Sequence, residues 1–291
     1  MIRKVVLPAA GHGTRLRPLT RFIPKEMLPV GDRLVISHVL DECRAAGLDS
    51  ILAVVSRAKP ALVEAMETLA ADAAGDEIYP QICYVYQRVQ GGLGHAILHA
   101  EAFAGSDPFA VALADTIIET GGGARGEGGG EADSSPLPPP PSPLLSRLIA
   151  AHEAYQAAAT VAVEEVTRER LSRYGVVRPE GATAPGEPFR ILDLVEKPAP
   201  DEAPSNLAIS ARYVLSPEIF AALRGLRSGP PAAGSRELQI TDAIAALARA
   251  GRPVVGVRLA PGERRLDIGT MASYYEAVLR RQTPDASNDV G

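Results

Sequence analysis

A chain of 291 residues is long for one domain but within reach of a single large open sheet. Its 46% hydrophobic content can furnish a sizeable core, while 4% aromatics and no Trp leave no stacking platform for nucleic-acid bases. A formal net charge of -5 lacks the basic excess that a phosphate backbone requires, so no nucleic-acid partner is expected and any phosphate must be held locally.

The first apolar run, residues 5–7, follows Arg3 and Lys4 and stops at Pro8, too short for a signal-peptide core. No later run approaches the roughly 20 apolar residues that cross a bilayer. Val35, Ile36, Val39, Leu40 and Cys43 keep one face of a helix, and Gly47 stands where that helix would end. Runs at 51–55 and 109–113 read as buried parallel strands. Cys43 and Cys83 lie far apart in apolar stretches, which excludes a disulfide framework and predicts two buried thiols in a reducing compartment. A soluble, cytoplasmic protein without a membrane partner is the expectation.

Strand, helix and strand in repetition predict an α/β fold, a three-layer α/β/α arrangement with a mixed, mostly parallel Rossmann-like sheet and a smaller lobe. From 121 to 143 the composition collapses into glycine and proline runs that cannot offset their ordering entropy, so a flexible loop is expected there. Beyond it come a helix over 144–159, strands near 160–166, 174–177, 191–196 and 207–215, helices near 238–250 and 271–281, and a strand at 253–259. The expected division is one domain over 1–283, with a first part at 1–118, a second at 144–283 and a disordered tail at 284–291.

Four constellations carry chemistry. Gly11-His12-Gly13-Thr14-Arg15 follows the opening strand, with Pro24-Lys25-Glu26 close behind. Glycines let successive N–H groups converge on an anion, and Arg15 and Lys25 add charge-assisted bonds, which together describe a triphosphate cradle. A tight turn is the plain alternative for the glycines alone. Leu16 stands where a dinucleotide fingerprint needs its third glycine, and no Gly-Lys-Ser/Thr follows for a Walker loop. Asp115 ends the run at 109–114, where doubly wound sheets place ligands, and Asp267 ends another strand pattern. Each alone could cap a helix; together around a triphosphate they suit Mg²⁺. Glu196-Lys197-Pro198 offers a lysine for a second phosphate, or an exposed ion pair at a strand end. Gln87 and Gly92 could read a base edge, or form a turn before a helix. His95 and His99 have metal-ligand spacing, but Ala96 replaces the glutamate of a zinc protease.

With these pieces in order, the chain resembles the bacterial UTP:glucose-1-phosphate uridylyltransferase family among sugar-phosphate nucleotidyltransferases. The matching stretches include Pro8-Ala9-Ala10-Gly11-His12-Gly13-Thr14-Arg15, Ile23-Pro24-Lys25-Glu26-Met27-Leu28-Pro29, Gly92-Leu93-Gly94-His95-Ala96, Tyr174-Gly175-Val176-Val177, Val195-Glu196-Lys197-Pro198 and Pro204-Ser205-Asn206-Leu207. Leu238-Gln239-Ile240-Thr241-Asp242 completes the series, and Ala114 stands where the family usually has proline. The resemblance implies that Ala10, Gly11, Gly13, Thr14, Arg15 and Lys25 hold UTP, while Gln87 and Gly92 contact its uracil. It implies Asp115 and Asp267 as Mg²⁺ ligands, Gly175, Glu196, Lys197 and Asn206 as sugar-phosphate contacts, and a homo-oligomer. Arg15, Lys25, Asp115 and Lys197 would be catalytic, joining UTP to glucose 1-phosphate. Use of dTTP or another sugar 1-phosphate, or a silent nucleotide-binding paralogue, are the alternatives.

Overall fold

The structure is a computed structural model, and it describes residues 1–74, 81–120, 143–228 and 237–281. In chain order it runs β1 (Lys4–Pro8), the short pair β2 (Pro29–Val30) and β3 (Arg33–Leu34), α1 (Val35–Ala45), β4 (Ser50–Val55), α2 (Pro60–Ala74) and β5 (Gln81–Tyr86). Next come α3 (Leu93–Leu98), α4 (Glu101–Ala104), β6 (Phe109–Ala112), β7 (Thr116–Glu119), α5 (Leu144–Ala154), β8 (Ala159–Glu165), β9 (Gly175–Pro179) and β10 (Pro188–Glu196). The chain continues through β11 (Leu207–Leu215), α6 (Glu218–Ser228), α7 (Ile240–Arg249), β12 (Val254–Arg258), β13 (Arg264–Asp267) and α8 (Met271–Arg281).

Nine strands form one sheet in the order β5-β4-β1-β6-β11-β8-β12-β10-β9. Following the pairings across it, seven strands point one way and β10 and β11 run against them, so the sheet is mixed and mostly parallel as expected. Apolar faces of α3, α6 and α7 pack one side, through residues such as Ile97, Phe220 and Ile244. On the other side α1, α2 and α5 bring Ile36, Met66 and Leu148. Both faces are therefore covered, which is why β1, β4 and β6 are near-continuous hydrophobic runs. A smaller cluster of Leu16, Leu28, Val30, Val35, Ile117, Leu266, Ile268 and Ala277 sits where the β7–β13 pair meets the chain after β1.

Two expectations are corrected. The helix expected over 144–159 stops at Ala154, because Gln156 takes a positive φ of 46° and the chain turns into β8 at Ala159. Cys43 is buried and its thiol is pushed up to about 12 by burial, but Cys83 is exposed. It lies on β5, an edge strand whose alternate residues face outward. The glycine- and proline-rich stretch through residue 142 and the tail from 282 lie outside the described residues. Among the described residues no helix is long and apolar enough to cross a membrane.

Candidate active site

The chain leaves β1 at Pro8, and Ala9 donates its N–H to Val54 at 2.8 Å before the glycine loop begins. Gly13 adopts φ 63°, a conformation that glycine reaches without strain, and Thr20 Oγ1 closes the loop by donating to its carbonyl at 2.7 Å. A short 3-10 turn, Thr14–Leu16, then plants Leu16 in the small cluster and leaves Arg15 exposed. Lys25 approaches this loop from the next segment: a methyl group on Gly11 would lie 3.8 Å from its ammonium.

Lys25 forms an ion pair with Asp115, which stands between β6 and β7. Burial raises the Asp115 carboxyl and lowers the Lys25 ammonium, yet the mutual charge prevails, so Asp115 falls below and Lys25 rises above its ordinary value. Arg212, fully buried on β11, fixes the same turn. It donates to the carbonyls of Leu113 at 3.4 Å and Thr116 at 2.9 Å on either side of Asp115, and its own charge is met by Glu42 of α1.

Asp267 reaches Asp115 by strand pairing. In the antiparallel β7–β13 ladder it lies opposite Thr116, and Ile268 N–H donates to the Asp115 carbonyl at 3.0 Å. Gly269 leaves room for the carboxylate, since a Cβ there would stand 3.0 Å from both Asp267 oxygens. Burial and then the Asp115 charge push the Asp267 carboxyl upward, against the pull of Arg265, Lys25 and Arg15. Two carboxylates and two cations thus converge at the carboxyl ends of β1 and β6, the edge where such sheets bind ligands.

A second group of expected residues gathers across the sheet. Gly175 on β9 is paired with Glu196 on β10, and Lys197 next to it donates to Glu196 at 3.0 Å. Lys197 has a φ of 47°, unusual for a residue with a side chain, and its N–H donates to Tyr174 O at 3.0 Å. Gly175 is needed for contact: a Cβ would come within 2.7 Å of Thr241 Oγ1 at the start of α7. Asn206 is not drawn in: exposed before β11, it donates to Glu165 at 2.5 Å.

Gln87 and Gly92 stand beside the glycine loop, because Gln90 Nε2 donates to Ala10 O at 3.1 Å. Gly92, with φ 88°, has a packing reason as well: a Cβ there would meet Leu238 O at 2.8 Å. His95 and His99 stack edge to face with centroids 4.9 Å apart, and no group of three or more His, Cys, Asp or Glu among the described residues could hold a metal by itself.

A cleft of about 1010 Å³ is lined by Arg15 and Asp267 of the first group together with Glu164, Tyr174 and Arg265. Within it the Arg265 guanidinium lies 4.0 Å above the Tyr174 ring and donates to Ile209 O at 3.0 Å. Another cavity of about 1030 Å³, lined by Lys4, Ser50, Gln81 and His152, lies at the amino ends of the parallel strands, away from these groups.

Sequence reasoning missed several supporting residues. Lys59 is buried and donates to Ala9 O and to both Glu26 oxygens, each at 2.8 Å, so it joins the root of the glycine loop to the residue after Lys25. Burial pushes Glu26 up and Lys59 down, so each needs the other's charge to stay ionised. A lysine ahead of an alanine-rich helix carries no signal of this; Arg212 in an apolar strand, a charge needing a partner, does.

A fold of this topology, with a glycine loop and paired carboxylates at one sheet edge, is that of the nucleotidyl transferases; the family model of that description matches residues 4–123 and 142–283, and the chain belongs to this family. It is 36% identical over 293 residues to the UTP–glucose-1-phosphate uridylyltransferase of Mycoplasma pneumoniae, covering 96% of this chain and 91% of that protein. Among solved structures, a UDP-glucose pyrophosphorylase complexed with UDP-glucose superposes with a TM-score of 0.79 at 34% identity, covering 96% of this chain and 98% of that one. A UTP-bound enzyme from Acinetobacter baumannii superposes with a TM-score of 0.74 at 33% identity, covering 96% and 93%.

Proposed function

We infer that this chain is a uridylyltransferase that forms UDP-glucose and pyrophosphate from UTP and glucose 1-phosphate. The observation that carries the reading is the pairing of Asp115 and Asp267 against Lys25 and Arg15 at the mouth of the glycine loop. Relatives over nearly the whole chain have this activity in their names.

In the proposed reaction a phosphate oxygen of the sugar attacks the α-phosphorus of UTP in line, and the bond to the β-phosphate breaks with its electron pair leaving on pyrophosphate. Backbone N–H groups from Gly11 to Arg15, with the side chains of Arg15 and Lys25, hold the triphosphate chain and meet its charge. Gln87 and Gly92 take the uracil. Gly175 and Glu196 take the sugar, and Lys197 holds its phosphate. Residues 1–118 thus serve the nucleotide and 144–283 the sugar phosphate. Catalysis comes from positioning and charge neutralisation, without a covalent protein intermediate.

The donor set fits Mg²⁺: two aspartates from different strands supply hard oxygens, and the remaining positions suit phosphate oxygens and water. Asp115 and Asp267 would hold it, and when bound it neutralises developing phosphate charge. The same reading places the enzyme in the cytoplasm, where UTP is available, as a homo-oligomer. Purified protein supplied with Mg²⁺, one of UTP, dTTP or CTP, and one of several sugar 1-phosphates tests the assignment by pyrophosphate release. UTP with glucose 1-phosphate should be the best pair; no release above an Asp115→Asn control would refute it.

A further inference from the structure

Gln87 follows β5 and is only 5% exposed. Its Nε2 makes two contacts, to Gly92 O at 3.3 Å and to His95 Nδ1 at 2.9 Å. A carbonyl can only accept, so the amide nitrogen has to face Gly92, and His95 must then accept at Nδ1 and carry its own proton on Nε2. Both amide hydrogens are spent in this way. Gln87 Oε1 has no hydrogen-bond partner among the described residues.

The imidazole is itself held. Gly91 leaves space for it, since a Cβ there would lie 2.8 Å from His95 Cγ, and the His99 ring packs against its edge. Burial first, then the charges of His99 and Arg227, lower the His95 pKa below its ordinary value. Neutral imidazole keeps the Nδ1 lone pair that the amide needs.

We propose that His95 is a positioning residue for base choice, locking the Gln87 amide so that this side chain offers the base an acceptor and no donor. This rests on Gln87 facing the base, as proposed above. Uracil carries a donor at N3, which such an acceptor receives; cytosine carries an acceptor there, and two lone pairs repel. Thymine has the same N3–H, so the lock separates uracil from cytosine and leaves thymine to other contacts. Rotating the amide by half a turn would serve cytosine, but with His95 in place that rotation sets Oε1 against the Nδ1 lone pair and the Gly92 carbonyl.

The test is the ratio of kcat/KM for UTP to that for CTP, with glucose 1-phosphate saturating. His95→Leu removes the acceptor at similar volume, and the ratio should fall roughly 10-fold or more, the free-energy scale of one lost hydrogen bond and the repulsion it prevented. His95→Asn keeps an acceptor near the Nδ1 position and should hold the ratio within about 3-fold of the parent. KM for glucose 1-phosphate should stay unchanged in both. A role confined to packing would slow UTP and CTP alike, and that result, or an unchanged ratio in His95→Leu, overturns the proposal. Should His95→Leu fail to fold, His95→Ala gives the same readout. Gln87→Leu separates the two layers: if it leaves the ratio intact, Gln87 does not read the base and the underlying assignment falls with the lock.

Discussion

Asp115 and Lys25 neutralise each other in a largely buried pair, so what each does depends on keeping the other. Asp115→Asn should lower pyrophosphate release by about 100-fold or more, because an amide offers a neutral oxygen where the proposed Mg²⁺ site needs an anionic one. Excess Mg²⁺ should fail to restore it; turnover within a few-fold of the parent would exclude the assignment. Arg15 acts on Asp267 while Lys197 pairs with Glu196 at the end of β10, so the two cations belong to different parts of the site. Lys197→Ala should therefore weaken glucose 1-phosphate far more than UTP, by roughly 10- to 150-fold, while Arg15→Ala should cost mainly kcat/KM for UTP. Equal loss of UTP affinity in both, by calorimetry, would show one shared phosphate site. Lys59 bears on stability: Lys59→Met leaves Glu26 as an unpaired buried carboxylate, with an expected cost of about 3 to 5 kcal/mol in urea unfolding. The double variant with Glu26→Gln should recover most of that loss, since no lone charge remains.

Among the elements, the β7–β13 pair matters most for the proposed metal site although it has only four residues a strand. It is the device that sets Asp267 beside Asp115, and it joins residues more than a hundred positions apart, so no local pattern announced it. Other elements were plain in sequence: β11 and α8 match their expected spans. Helix α2 went unread because its many alanines blur the apolar stripe that Leu62 and Met66 form. At the junction of β9 and α7, Gly175→Ala would drive a methyl group into Thr241 and Ile209. A loss of about 1 to 3 kcal/mol in stability is expected, with a raised KM for glucose 1-phosphate as Glu196 and Lys197 shift with the strand. An unaltered urea midpoint would mean that α7 gives way at no cost.

On the scale of the whole molecule, His152 couples the fold to pH. It is buried between α5 and the sheet, with Nδ1 3.1 Å from Thr160 Oγ1 and Nε2 3.1 Å from Ser216 Oγ. Burial lowers its pKa from 6.5 to about 4, against a small opposing pull from Glu153. Above pH 6.5 the folded and unfolded chains both carry it neutral; between there and pH 4 only the unfolded chain takes the proton. Stability from this residue is thus complete above 6.5, falls by about 3 kcal/mol on the way to 4, and levels below. His152→Gln should shrink the change in urea midpoint between about pH 7 and about pH 4.5, and an unchanged slope would place the acid sensitivity elsewhere. The sequence by itself determined the layered α/β class, the glycine loop and the candidates Arg15, Lys25, Asp115, Asp267 and Lys197, because periodicity and turn chemistry are local. Tertiary structure decided that Asp267 stands beside Asp115, that Lys59 and Arg212 brace the glycine loop and the Asp115 turn, that Asn206 pairs with Glu165 instead and that His95 meets Gln87. Those are contacts between segments distant along the chain, or between side-chain atoms whose orientation depends on what packs around them, and residue spacing carries neither.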